Sequence, residues 1–254
     1  AGVANPALNL PMPPAMLALA LAMTFGAAAI RGLTGFGMAI ILVPLLSLVI
    51  TPLQAVVIGI LLQLYIGPVG WQRIIHDSER ASAIPIAIIA VVVTPLGLIL
   101  LAAIAPDVAR LLISSIAIAA FVAVVLPSGP PRAASRTSIT LTGITAGVLT
   151  GFAAMPGPPV VPFYMRRRLP PPVARASMML VFFATAIAGS ASALTMGRID
   201  GGSFILSLWL FPAVLLGNWA GGLGFGKMPE KMWRALVALI LGVAGAAALW
   251  GLLH

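Results

Sequence analysis

Arg31 lies between an apolar run and the glycine-rich segment GLTGFG that starts at Gly32, far in sequence from any other charge. A guanidinium can hold two oxygens of a carboxylate or sulfonate at once. A second break, MPGPP from Met155 to Pro159, interrupts another apolar run. Each break precedes a short apolar segment that reads as a helix. The first N–H groups of such a helix lack partners and carry the positive end of its dipole. Thr34 is placed to cap the first short helix. Pro158 or Pro159 suits the first turn of the second, where a missing N–H costs little. Gly35, Gly37 and Gly157 let a ligand approach the main chain closely. Two such helix starts brought together make a pocket for a small anion. Kinks for helix packing are the plainer use of the same residues, but their matched placement in the two halves favours a site.

Other side chains carry two readings each. Arg31 is either a binding group or a snorkelling cation at a helix end. Arg175, about one turn into the run after Pro170-Pro171-Pro172, is either part of a site or a cytoplasmic anchor beside Arg166, Arg167 and Arg168. Gln63 and Asn218 are amides deep in apolar runs, serving either substrate or helix–helix adhesion. Phe36 and Tyr164 flank the breaks and either wall a pocket or pack a core. Tyr65 and Trp71 are expected in an interfacial aromatic belt.

The elements that position these residues follow from composition. Of 254 residues, 61% are hydrophobic and 7% charged, and mean hydropathy is +1.15. A soluble domain carries roughly 25% charged residues, so this chain needs lipid to cover it. The fold class expected is an all-α integral membrane protein. Zero cysteines exclude a disulfide framework, a thiolate metal site and a cysteine nucleophile. His76 and His254 alone cannot build a histidine metal centre or a catalytic triad. No Walker A segment occurs, so this chain does not hydrolyse ATP. No enzyme activity, cofactor or metal is expected. The net charge of +9 points to membrane lipids and topology rather than nucleic acid. The first fourteen residues carry no Lys or Arg and do not read as a signal peptide.

Apolar stretches run at 13–30, 38–50, 53–70, 83–104, 109–126, 139–155, 158–165, 172–196, 203–225 and 234–253. A spanning helix needs about 20 residues, and the stretches ending at Ile50 and Met165 are too short to cross alone. Each sits second in its half, behind a break. Shifting one half onto the other pairs Pro44 with Pro162 and, with a one-residue gap, Pro52 with Pro171; the segment Asp107 to Arg110 falls against Glu230 to Arg234. Two repeats are therefore expected, residues 1–126 and 139–254, joined by a polar cytoplasmic linker at 127–138. If the chain alternates sides, eleven of the fourteen Lys and Arg residues fall on one side, which is the cytoplasmic one. Both termini then face outward, and the repeats have inverted topology, each with a discontinuous or re-entrant short helix. That is the sequence pattern of a secondary transporter. All five acids (Asp77, Glu79, Asp107, Asp200 and Glu230) fall in expected loops, leaving no carboxylate proton relay. Export of an anion from a cell that is negative inside gains about 2.3 kcal/mol per charge per 100 mV and needs no such relay.

RGLTGFGMAIILVPLL from Arg31 to Leu46 resembles the first glycine-rich signature of the sulfite exporter TauE/SafE family. Gly157 to Tyr164, followed by Ala174-Arg175-Ala176-Ser177, is similar to the second. The region Gly217 to Gly226, the loop around Met228-Pro229 and the last helix also fit. The resemblance implies a multi-pass carrier of the bacterial inner membrane, both termini periplasmic on the count above. The resemblance further implies transport of small organosulfur anions such as sulfite or organosulfonates, mostly outward. It implies substrate-facing roles for Gly35, Phe36, Gly37, Gly157, Pro158 and Arg175. The second signature begins Ala153-Ala154-Met155-Pro156 here, where the family commonly has more glycine. Together these expectations describe an exporter working by alternating access around a midplane site, with Arg31 and the two helix starts neutralising the anion. The alternative is an anion channel or facilitator built on the same positive pocket. A homodimer stays open.

Overall fold

The computed structural model describes residues 12–125, 133–167 and 169–224. The stretch expected at 234–253 lies outside them, as do linker residues 127–132 and Arg132, Arg168, Lys227, Glu230, Lys231, Arg234 and His254. The described residues form ten helices and no strand. These are α1 (Pro14–Thr34), α2 (Met38–Leu46), α3 (Pro52–Ile66), α4 (Trp71–Asp77), α5 (Arg80–Ala103), α6 (Pro106–Val125), α7 (Arg136–Ala153), α8 (Gly157–Met165), α9 (Pro171–Thr195) and α10 (Gly201–Leu223). Among them α1, α5, α9 and α10 are long and apolar enough to cross a membrane. The bent pair α3 and α4 makes a fifth candidate span. The molecule is an all-α integral membrane protein.

Each described stretch expected from the sequence is a helix, and α4 is additional. Its residues, WQRIIHD, are too polar to register as an apolar run. It turns 83° away from α3 at Gly70, whose φ of 79° is left-handed and suits glycine.

Helix starts follow ordinary capping chemistry. Thr51 and Gln54 form a reciprocal box before α3, and Ser135 and Ser138 do the same before α7. The carboxylates of Glu79 and Asp200 cap α5 and α10 by accepting main-chain N–H bonds from Ser82 and Ser203. The Ser203 bonds hold the Asp200 carboxyl below its ordinary range.

Two glycine seams organise the bundle. On α7, Gly143, Gly147 and Gly151 face Ile86, Ala90 and Thr94 of α5 in ascending order, so the two helices run parallel. On α10, Gly217 and Gly221 face Phe25 and Ala29 of α1, again in parallel. Small residues let membrane helices approach until backbones touch. A Cβ on Gly147 would stand 2.5 Å from the Ala90 carbonyl oxygen.

At one end of the bundle Gln54, at the start of α3, donates to Asp200, at the start of α10. At the other end the Ser177 hydroxyl of α9 accepts the Glu79 N–H ahead of α5 at 2.8 Å. Between them α3 is buried on all sides from Ala55 to Leu62, the mark of a central helix. Its Ile60 packs on Gly189 and its C-terminal neighbour Gly67 on Phe183, so α3 and α9 are antiparallel. Large apolar side chains face outward instead, with Ile84, Ile88, Val92, Leu96 and Ile99 striping α5. Tyr65, at the end of α3, is half-buried. Its ring meets Phe211 edge-on at 5.4 Å and its hydroxyl lies 3.0 Å from the Ser207 hydroxyl. It therefore joins α3 to α10 through both its ring and its hydroxyl. Trp71 is more open and packs edge-on against Phe183.

Candidate functional site

The two breaks meet. Arg31, Phe36, Gly37 and the first residues of α2 line one side of a cavity, and Met155, Pro156 and Gly157 line the other. Gln63 of α3 and Phe182 of α9 complete it. Its volume is about 20 Å³, which is room for a single water. A space of that size has no room for an anion of four or more heavy atoms.

Arg31 is the dominant charge. It is 6% exposed and sits in the last turn of α1, where the negative end of the helix dipole favours a cation. Its Nη1 donates to Asn218 Oδ1 at 3.3 Å. The ion pairs among the described residues are His76–Asp77, Arg110–Asp107 and Arg167–Glu79, so no described carboxylate neutralises it.

The helix starts contribute unequally. On α2 the main-chain N–H groups of Met38, Ala39 and Ile40 have no helical partner. On α8 the corresponding positions are Gly157, Pro158 and Pro159, so only the Gly157 N–H remains as a donor. Main-chain donors therefore come mostly from the first half. Gln63 works as a staple while lining the cavity. Its Nε2 donates to Ala154 O at 2.9 Å and to Gly59 O at 3.2 Å, tying α3 to the second break. Ala154 ends α7 at φ 56°, a conformation that L-residues other than Asn and Asp seldom adopt.

Thr34 is not the cap of α2. It is the last residue of α1, and Gly37 occupies the cap position with φ 92°. Two left-handed glycines, Gly35 and Gly37, separate Thr34 from Met38 and displace the helix start beyond its reach. The Thr34 hydroxyl instead donates toward the Ile30 and Phe36 carbonyls and accepts the Phe36 N–H, closing the turn. Gly35 does not line the cavity. Its N–H returns to Arg31 O at 2.6 Å, and a Cβ there would stand 2.8 Å from Arg175 Cγ. Pro158 likewise shapes the start of α8 without lining the cavity.

Arg175 lies across the last turn of α1, its Nη2 donating to Gly32 O at 3.1 Å. That places a second cation on the same helix C-terminus as Arg31. It also lines a larger pocket of about 360 Å³ with Arg73, Ile74, Asp77, Met179 and Asn218. Asn218 thus touches Arg31 on one side and this pocket on the other. Neither Asn218 nor Ala154 carried a decisive mark in the sequence. An amide 187 positions away is paired with Arg31 only by the packing of α1 on α10.

Tyr164 packs in the core at 1% exposure, its hydroxyl 3.0 Å from Ser82 Oγ. Below it Arg167 pairs with Glu79 at 2.7 Å and donates to Ser82 Oγ at 2.8 Å. Desolvation pushes the Glu79 carboxyl up, but hydrogen bonds from Ser82 and Arg167 outweigh it and hold the carboxyl below its ordinary value. Among the described residues no three His, Asp or Glu side chains converge as a metal site needs.

No curated protein and no solved structure matches this chain. A family model described as "Sulfite exporter TauE/SafE" matches residues 19–248, nearly the whole length. The chain, with its two glycine- and proline-broken helices meeting at a buried arginine, belongs to the sulfite exporter TauE/SafE family of membrane transporters.

Proposed function

We propose that this protein exports small organosulfur anions, sulfite or organosulfonates, as a secondary transporter working by alternating access around the cavity where the breaks meet. One observation carries the reading. Arg31 is buried, borders that cavity and forms no ion pair among the described residues. A cation retained in the membrane at such cost is a binding group by default, and its countercharge arrives with the substrate. The N–H groups of Met38, Ala39, Ile40 and Gly157 add hydrogen bonds to the anion. Phe36 and Phe182 wall the site, Gly37 and Gly157 admit the ligand to the main chain, and Gln63 holds the second break against α3. Thr34, Gly35 and Pro158 fix the shape of the breaks.

The cycle rests on two inverted repeats, residues 1–126 and 139–254, with the linker 127–138 in the cytoplasm. Reciprocal pairing supports this: α1 lies beside α10 as α7 lies beside α5, while α3 and its counterpart α9 are antiparallel. The arginine-rich end faces the cytoplasm by the positive-inside rule, which puts both termini in the periplasm of a bacterial inner membrane. The alternative, an anion channel or facilitator on the same pocket, would show no saturation or counterflow at low substrate.

Ligand-induced thermal stabilisation tests the reading. A ligand that binds the folded state raises apparent stability by mass action. Purified wild type and Arg31→Ala are heated with sulfite, sulfoacetate, taurine, sulfate, thiosulfate or acetate. A shift with a sulfur oxyanion that vanishes in the variant is the expected result. A shift that survives the variant overturns the role of Arg31, and a shift with acetate alone overturns the substrate class.

A further inference from the structure

We propose that Asn218 sets the charge of the inner cavity: its amide holds the Arg31 guanidinium in place while leaving the positive charge uncancelled, which makes it a positioning residue for an anion. The inference rests on the carrier reading only for what that charge attracts.

The fold partners its guanidiniums in two ways. Arg110 pairs with Asp107 and Arg167 with Glu79, and both arginines are half-buried. Arg31 is more deeply buried, yet its Nη1 donates to an amide oxygen, Asn218 Oδ1, at 3.3 Å. Asn and Asp have nearly the same shape, and either can accept this bond. A carboxylate here would neutralise the cation, whereas the amide satisfies one donor and leaves the charge in place. Keeping a buried charge without a countercharge costs stability. An anion that enters the cavity returns it.

Packing fixes the amide on Arg31. Gly217 and Gly221 bracket Asn218 on α10, and Cβ atoms on them would collide with the Phe25 and Ala29 carbonyl oxygens of α1. From the other helix, a Cβ on Gly32 would collide with the main chain of Asn218. The two helices thus interlock on both sides of Asn218, beside Arg31, through small residues that let their backbones touch. A side chain as short as asparagine spans the gap to Arg31 because of that contact. Asn218 is itself half-buried and borders the larger pocket of about 360 Å³, so a carboxylate in its place is not fully desolvated.

Thermal melts of purified protein test the assignment, with sulfite and methanesulfonate as probes. Asn218→Asp keeps the shape and the acceptor but cancels the charge. It is expected to melt at or above wild type in buffer and to bind either anion more weakly by on the order of a hundredfold. Asn218→Leu removes the acceptor and keeps the charge, so it should melt lower in buffer and still be stabilised by the anion. A role in helix adhesion alone predicts that Asp, which keeps the bond, leaves the anion response unchanged. An undiminished response in Asn218→Asp, or a melt well below wild type, overturns the proposal, as does a response lost as fully in Asn218→Leu. Combining Asn218→Asp with Arg31→Met separates this inference from the carrier reading. The double variant should melt several degrees below both single variants, since the new carboxylate has then lost its cation. Additive melts overturn the proposal. Non-additive melts with no anion response in wild type support the assignment of Asn218 and overturn the carrier reading instead.

Discussion

Replacing Arg31 with methionine distinguishes a charge kept for binding from one kept for folding. A buried ion without a partner costs several kcal/mol even after relaxation. The bond to Asn218 returns roughly 1.5–3 kcal/mol, and the last turn of α1 returns about 0.3–1, or up to ~2 in a buried setting. The balance leaves wild type destabilised by about 1–3 kcal/mol at this position. Methionine keeps most of the apolar stem and strands the Asn218 oxygen, which costs about 1 kcal/mol. Without substrate, Arg31→Met is therefore expected to match wild type or exceed it by up to about 2 kcal/mol. In a domain this large, 1 kcal/mol moves Tm by roughly 2–4 °C. The assay is thermal unfolding of purified protein, with and without a sulfonate. The expected pattern is an unchanged or raised Tm in buffer and no response to ligand. A fall of roughly 10 °C in buffer, the mark of a broken ion pair worth about 3–5 kcal/mol, would refute the reasoning, because the charge would then be compensated within the fold.

Three further outcomes follow from the geometry. Gly35→Ala and Gly37→Ala impose similar left-handed strain, about 1–2 kcal/mol each. Only the first drives a Cβ into Arg175, at 2.8 Å from Cγ, against 3.7 Å to Ile30 for the second. Thermal melts should rank Gly35→Ala lower, and equal melts would mean that Arg175 moves aside freely. Glu79 has its carboxyl held below its ordinary value of 4.5, so its contribution is present above that pH and fades as pH falls through the lower folded value. Melts of Glu79→Gln should be lower than wild type near neutrality and converge with it as pH falls through that lower folded value; a constant gap would remove the ionised carboxylate from the account. Gly147→Ile overfills the seam of α7 against α5 and should cost at least 1–3 kcal/mol, read as lost monodisperse yield on size exclusion.

The broken helices were legible because glycine and proline punctuate a chain that is otherwise aliphatic. Both breaks and both short helices lie where that punctuation puts them. Thr34 was misplaced because capping depends on the backbone angles of the residues between, and two left-handed glycines are invisible as angles in a string of letters. Ala154 is the sharper case, since nothing about an alanine marks it for φ 56°. Glu79 and Arg167 counted only as loop charges, yet the packing of α5, α8 and α9 makes them a half-buried pair. The contact of Arg31 with Asn218 depends on the register of α1 against α10, and apolar composition leaves register unspecified. The stretch at 234–253 has no described counterpart.

The glycine seams have a mechanical consequence. Gly143, Gly147 and Gly151 recur every fourth residue, and they meet α5 at positions that advance in the same steps. Four residues of helix measure about 6 Å. A slide of α7 along α5 by that distance brings the next glycine onto the backbone its neighbour has just left. Yet a full step in one direction would set Ile139 in the place of Gly143 against Ile86, so the seam holds one offset.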